Sequence, residues 1–344
     1  MAPMNRPMSH VDTVRIAPAV SIPSVLEHLG LEPEATLAEL GFDIQLFENP
    51  DTIIPNVIRN RLLELCAQKS GCRHFGHLVG RNTSPSSFGM AGLFMQQAPD
   101  IASAIKGLIR YLHLHANGAV VYLEEKSDTA FVGYSITYPV EAANEQVTDA
   151  AVTAIFNVLR KLCGVKWQAT ELQFTHAKPT NTRPFAHYFK APLRFNSGKS
   201  GVLFPADWLT RPVLGADPEL QRLLKKQIDL IEYYYPDSFA EQARRVIHSA
   251  IFIHRTKAGD IANFFSLHER TLNRRLRDSG TCLRELLDEC RADIAQQLLR
   301  NTSLTVNEIA ETLDYSDSSA FARAFRRQTG MAPSAWRSSI EIRT

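Results

Sequence analysis

The sequence predicts an α+β N-terminal domain followed by an all-α domain with two helix-turn-helix units. Three observations carry this. β-rich runs joined by turn signals lie between helical segments up to Pro205 and then stop. From Ala258 onward every segment has helical period with short Gly, Ser or Asp turns. And one pattern near the C-terminus occurs twice, as "GDIANFFSLHERTLNRRLRDSG" (Gly259 to Gly280) and "NEIAETLDYSDSSAFARAFRRQTG" (Asn307 to Gly330).

At 344 residues the chain is long enough for two cores. Its net charge of +2 conceals a cationic C-terminal part. From Glu241 onward, 16 Lys and Arg stand against 13 Asp and Glu, and 15 of the 16 cations are arginine, the side chain suited to phosphate and guanine. Five scattered cysteines without a C-x-x-C pair, no signal-like h-region and no apolar run of about 20 residues predict a cytoplasmic protein with no membrane partner.

Residues 1–20 read as a flexible tail and 21–210 as the first domain. Ile22 to Phe47 and Ile58 to Val79 are helical in pattern, and Ile101 to His115 follows with Asp100 as a plausible N-cap. "AVVYLEE" and "TAFVGYSITY" flank the turn signal "KSD" as a hairpin. A helix from Glu145 to Leu162 ends at Gly164, then come a strand in "ELQFTHA", a short helix at Pro184 to Phe189, and two strands in "LRFNSGKSGVLFP". Helices at 217–232 and 237–253, separated by "YYYPDS", make 211–250 a helical linker before a domain at 251–344. The stripe Leu220, Leu223, Leu224, Ile228 and Ile231 suits a homodimer or interdomain contact, or packing on its own domain.

In each copy of the repeat an Ile-Ala step (Ile261-Ala262, Ile309-Ala310) precedes a tight turn and an amphipathic helix, about residues 269–278 and 318–328. Leu272/Leu276 and Phe321/Phe325 are i, i+4 apolar pairs that predict the buried face. The opposite faces carry Arg270, Asn273, Arg274 and Arg277 in the first copy, and Ser319, Ala322, Arg323 and Arg326 in the second. Ser318 to Gln328 holds no acidic residue, which suits a helix pressed against an anion such as double-stranded DNA. Arg274 and Arg323 are the candidate base contacts, Asn273 suits an adenine edge, and Ser319 either contacts DNA or caps its helix. Arg275, Arg277, Arg326 and Arg327 suit phosphates. A solvated face or surface ion pairs remain the alternative for Arg274 and Arg323.

The run Phe321-Ala-Arg323-Ala-Phe325-Arg326-Arg327, with Gly330, Pro333 and Trp336-Arg337, resembles the DNA-binding domain of the AraC/XylS family of bacterial transcription regulators. "RADIAQQLL" (Arg291 to Leu299) resembles that family's linking helix, which implies reading helices in major grooves about one turn apart. Two departures stand out. The usual turn glycine is replaced by Ser266 and Asp314, and His268 stands where a capping Ser is common while Asp317 can cap. The first unit is therefore expected to be the less stable. "FGHLVGRNTSPSSFGMAGLFMQQAPDIASAIKGLIRYL", "LQFTHAKP" and "YFKAPLRFNSGKSGVLFPADWL" resemble the N-terminal sensor domain named for arabinose binding in one subgroup. These resemblances imply an activator that works beside RNA polymerase and answers a small-molecule effector. A constitutive DNA-binding protein whose N-terminal domain only dimerises is the alternative.

Ligand residues are not assigned. The Tyr111 to His115 helix end, Tyr122, Tyr134, Tyr138 and Trp167 suit either a pocket or an ordinary aromatic core. "NSGKS" lacks a phosphate loop's first glycine, because Leu193 stands there. Cys72, His74 and His77 form one cluster, too little for a tetrahedral metal site. No catalytic motif is present, so neither enzyme activity nor a cofactor is expected. An enzyme with an appended DNA-binding module, as in some repair proteins, would need a reactive cysteine, for which Cys66, Cys72 and Cys163 offer no local motif.

Overall fold

The computed structural model describes residues 13–138, 144–234, 238–265 and 267–341. The described part of the expected tail is not loose. Thr13–Arg15 (β1) pairs antiparallel with Ile53–Pro55 (β2), and Val14, Ile16 and Ala19 are buried. The reason is their alternation, which offers Val14 and Ile16 to one core and leaves Thr13 and Arg15 half-buried. Residues 1–12 of that tail lie outside the described residues, as do Tyr235, Pro236 and Asp237 of "YYYPDS", the last being the expected start of the second linker helix.

Four helices, Ile22–His28 (α1), Pro33–Glu39 (α2), Asn56–Ser70 (α3) and Phe75–Arg81 (α4), gather around β1 and β2. Gly89–Gln96 (α5) and Ile101–Tyr111 (α6) follow. Asp100 caps α6, its carboxylate accepting from the Ser103 amide at 2.7 Å. Strands Ala119–Glu125 (β3) and Thr129–Ile136 (β4) form the expected hairpin. After Glu145–Cys163 (α7) come Glu171–Gln173 (β5), Arg183–Phe189 (α8), Leu193–Arg194 (β6) and Ser200–Pro205 (β7). The sheet order is β3-β4-β7-β5-β6, antiparallel except for the β5–β6 pair. β5 is shorter than the strand expected over "ELQFTHA". Its continuation turns inward at His176, whose Nε2 donates to Asp149 Oδ1 of α7 at 2.9 Å.

The sheet is buried on both faces, and strand alternation sorts its side chains between two cores. Val121, Val132 and Val202 point into the N-terminal core with α5, α6 and α7. Tyr122, Phe131 and Leu203, one residue along each strand, belong to the core of the C-terminal helices. Tyr122 stacks on Phe252 with ring centroids 4.8 Å apart and planes 3° from parallel. Gly133 makes room for it, since a Cβ there would sit 2.1 Å from the Tyr122 ring. Two hydrogen bonds add to this contact: Gln297 Nε2 donates to the Ile136 carbonyl at 2.9 Å, and the Ser303 amide to Asn196 Oδ1 at 3.3 Å.

Pro218–Tyr234 (α9) buries Ile228 in the N-terminal core and leaves Leu220, Leu223, Leu230, Tyr233 and Tyr234 exposed. Its apolar residues thus divide between a packed side and an open one. Phe239–Phe252 (α10) opens on a capping box between Ser238 and Glu241 and packs Ile247, Ala250 and Ile251 among the C-terminal helices. Those helices are Ala258–Phe264 (α11), Glu269–Asp278 (α12), Leu283–Asn301 (α13), Val306–Thr312 (α14), Ser318–Thr329 (α15) and Pro333–Glu341 (α16).

Candidate nucleic-acid interface

Two short helix pairs, α11–α12 and α14–α15, flank the 19-residue α13. In each pair the first helix buries its Ile-Ala step: Ile261, Ala262, Ile309 and Ala310 are at most 2% exposed. A methyl at 262 and 310 lets the second helix lie close across the first. Leu272 and Leu276 of α12, and Phe321 and Phe325 of α15, are buried as their i, i+4 spacing predicts. The rings of Tyr315, Phe321, Phe325 and Trp336 run in sequence through the second unit, with centroids 5.5–6.1 Å apart. Gly280 and Gly330 follow the two reading helices in the left-handed region, at φ 77° and 79°.

The opposite faces are cationic and open. Arg270, Asn273, Arg274 and Arg277 of α12 are exposed, as are Ser319, Arg323 and Arg326 of α15. None of the five arginines Arg270, Arg274, Arg277, Arg323 and Arg326 has a carboxylate at ion-pairing distance among the described residues. A row of guanidinium groups held apart from acidic partners attracts a polyanion.

Two of the expected phosphate contacts are drawn elsewhere. Arg327 Nη2 meets Asp288 Oδ2 of α13 at 2.8 Å, and the Arg275 guanidinium lies over the Phe239 ring, 5.4 Å from its centroid. Both side chains tie a reading helix to its support. Asp288 is four-fifths buried and Phe239 belongs to the C-terminal core, partners that lie too far along the chain for a local pattern to reveal. Ser319 does not cap α15, because Asp317 does: its Oδ1 accepts from the Ala320 amide at 2.7 Å. That bond, with one from the Ser316 hydroxyl, holds the Asp317 carboxyl below its usual range.

Asp314 sits at φ 60°, the left-handed turn expected of it. It does more than turn. Its carboxylate accepts from Thr256 Oγ1 at 3.1 Å and lies 3.4 Å from His254 Nδ1 and 3.8 Å from Arg291 Nη2. This joins the second turn to the end of α10 and to α13. His268 precedes α12 with no side-chain capping bond, and Ser266 lies outside the described residues.

The sequence matches known families. A model described as the arabinose-binding N-terminal domain of AraC transcription regulators matches residues 30–213, and a helix-turn-helix domain model matches residues 261–339. The first alone spans more than half of the chain. The chain belongs to the AraC family of transcription regulators. It is 23% identical over 343 residues to the ornithine utilization regulator of Pseudomonas aeruginosa, with 97% of this chain and 99% of that protein covered. To the regulator VirS of Mycobacterium tuberculosis it is 26% identical over 324 residues, 91% and 93% of the two chains. Among solved structures, the regulator CdpR of P. aeruginosa aligns with 94% of this chain and 98% of its own at 22% identity, with a TM-score of 0.43. As a member of this family the chain is a DNA-binding transcription regulator, and its α+β domain is of the ligand-sensing type.

The remaining candidates sort by position in this AraC-family chain. Tyr122 serves the domain contact, Tyr138 accepts from Asn60 Nδ2 at 2.7 Å, and Trp167 packs on Phe156 and Phe204. Of that set, Leu112, His115 and Tyr134 line an aliphatic cavity of the α+β domain. His77 is fully buried, bonded to Thr153 Oγ1 at 2.9 Å and ringed by Phe185, Tyr188 and Phe189. Burial pushes the thiols of Cys66 and Cys163 up to about 12 and raises that of Cys72, the opposite of an activated nucleophile. No helix among the described residues is long and apolar enough to cross a membrane.

Proposed function

We propose that the chain is a cytoplasmic, effector-responsive regulator, without enzyme activity of its own, that reads two adjacent major grooves with α12 and α15. Arg274 and Arg323 take base edges, Asn273 and Ser319 stand beside them, and Arg270, Arg277 and Arg326 hold phosphates. Arg327 contributes through the Asp288 pair, fixing the attitude of α15. The observation that carries this reading is the pairing, in both units, of a buried apolar stripe with an arginine face that lacks acidic partners. The spacing fits as well. A 19-residue helix is about 29 Å long at 1.5 Å per residue, close to one turn of the duplex.

In this reading residues 21–210 sense, 211–250 connect and 251–344 read DNA. The stacked Tyr122–Phe252 contact is the mechanical link between sensing and reading. The effector acts by binding one arrangement of the domains more tightly than the other. The exposed side of α9, Leu220, Leu223, Leu230, Tyr233 and Tyr234, supports a homodimer, and activation takes place beside RNA polymerase.

The test is sequencing of genomic fragments retained by the full-length protein at about 0.15 M salt, where non-specific binding is weak. Discrete sites with two protected blocks one helical turn apart are expected. Diffuse retention, both alone and in the presence of cell metabolites, would overturn the reading. A footprint that no metabolite alters would favour a constitutive DNA-binding protein whose N-terminal domain only dimerises.

A further inference from the structure

The α+β domain holds a partly open cavity of about 100 Å³ between the sheet and helices α3, α6 and α7. Its wall is aliphatic, built by Leu63, Ile105, Leu108, Val121, Val132 and Ile155 with their neighbours. Four polar side chains reach the same wall, the hydroxyls of Thr83 and Tyr134 and two nitrogen bases: Arg59 of α3, and His115 just beyond α6.

Neither is satisfied by charge. Arg59 donates to Asn60 Oδ1 at 3.0 Å and to the Tyr138 hydroxyl at 3.4 Å, both neutral, and no carboxylate lies at ion-pairing distance among the described residues. A half-buried guanidinium with only neutral partners is short of an anion. His115 is 5% exposed, and its Nδ1 is buried with no hydrogen-bond partner among the described residues. Burial, with Arg15 and Arg59 nearby, pushes this ring down to about 3, so it is neutral at ordinary pH and offers one N–H.

We propose that this cavity binds a compact aliphatic monocarboxylic acid, with its carboxylate on Arg59 and the His115 N–H and its alkyl body among the aliphatic side chains. The size follows from the volume: a dry cavity of roughly 150 Å³ admits benzene, so this smaller one suits an alkyl body of about four to five carbons. The wall also disfavours the sugar for which the matching domain is named. A pentose carries hydroxyls all round its ring, and those facing the aliphatic side chains would be buried without partners. The inference rests on the sensing role given above to residues 21–210 and supplies the chemical class of the effector. Tyr134 gives the bound state a route outward, because it also lines the polar cleft that Phe252, Ile294 and Gln297 form with the sheet.

The experiment titrates full-length protein with hexanoate and with 1-hexanol by calorimetry, and measures affinity for a retained genomic site in parallel. Hexanoate should bind saturably, and hexanol at least about tenfold more weakly, since it cannot use a charge-assisted bond. Arg59→Gln should lower hexanoate affinity by about tenfold or more while leaving hexanol unchanged. Ala154→Leu, which fills the cavity, should abolish binding of both with an unchanged or raised melting temperature. Equal binding of acid and alcohol, an Arg59→Gln protein that binds hexanoate normally, or no hexanoate binding would each overturn the proposal. Two results separate it from the sensing role. Hexanoate that binds without changing DNA affinity keeps the site and removes the sensing role. DNA affinity that answers a metabolite extract but not hexanoate keeps the sensing role and removes this ligand class.

Discussion

The two helix-turn-helix units share a plan and differ in how firmly they are held. Both bury an Ile-Ala step and an i, i+4 apolar pair, and both end in a left-handed glycine. The second unit adds polar anchors: Thr305 and Glu308 form a capping box on α14, Asp317 caps α15, Asp314 ties the turn to α10 and α13, and Asp288 pairs with Arg327. The first unit has no side-chain cap on either of its helices. Its distinctive attachment is softer, Arg275 over Phe239. Repetition of a sequence motif thus reproduces the packed face and the opposite polar face, while the anchoring of each copy depends on positions where the copies differ, such as Asp317 against His268, and on partners outside the repeat, such as Asp288 and Thr256. A reader fixed at one end and looser at the other is expected to be strict about one half of its site and tolerant about the other.

That contrast can be broken most forcefully in the cores. Phe321→Ala should destabilise the chain by about 3–5 kcal/mol and Leu272→Ala by about 2–5 kcal/mol, from the lost transfer energy and the cavity left behind. Denaturant titration followed by DNA binding checks both. Binding of a full site should fail in either case, but Leu272→Ala should leave the half-site of α15 protected in a footprint.

The next effect is on base choice. Arg323→Ala is expected to lower specific affinity by about 1–3 kcal/mol, roughly 5- to 150-fold, and to relax preference at one base pair. Arg274→Ala should relax preference in the other half-site by less, because α12 is less firmly oriented. Selection of randomised sites by each variant measures this, and equal relaxation would remove the contrast. Capping gives a smaller signal. Asp317→Ala should lower the melting temperature by less than either core truncation, His268→Ala should leave it unchanged, and His268→Asp should raise it.

The most gradual expected effect is pH dependence, which contrasts the α+β domain with the DNA-reading helices. His176 donates through Nδ1 to the Ala177 carbonyl and through Nε2 to Asp149, each at 2.9 Å, so the ring carries both protons. Despite burial, which opposes it, the Asp149 carboxylate lifts this group from 6.5 to about 9. Burial lifts Glu64 from 4.5 to about 7. Both folded values lie above the unfolded ones, so the stability these protons contribute is complete below the unfolded values. It is lost as pH rises, through about 7 for Glu64 and about 9 for His176. Denaturant midpoints should therefore fall between pH 6 and pH 9, and His176→Gln should flatten the upper part of that fall.

Much of the proposed DNA-reading surface was legible because helical period is a local property. Leu272, Leu276, Phe321 and Phe325 announce the buried stripe, and the arginines opposite announce the face. Asp317 and Asp100 were legible as caps because a cap bonds amides a few residues away. Arg327 was not legible as an anchor, since its partner lies 39 positions back in another helix. Tyr122 was read as pocket or core when it belongs to a contact between domains, with Phe252 far along the chain. Arg59 carries no local sign of its place, because a lone arginine on a helix looks the same whether it faces water or an aliphatic cavity.

The sequence by itself determined the order of helices and strands, the doubled reading motif and which face of each reading helix is apolar, since these depend on residues within one or two turns of one another. Only the tertiary structure decided that the sheet is covered on both sides, that Arg275 and Arg327 turn to the protein, and that Arg59 and His115 meet at an aliphatic cavity. Those outcomes come from packing segments far apart in the chain, where shape and charge are matched across space and leave no periodic trace along the backbone.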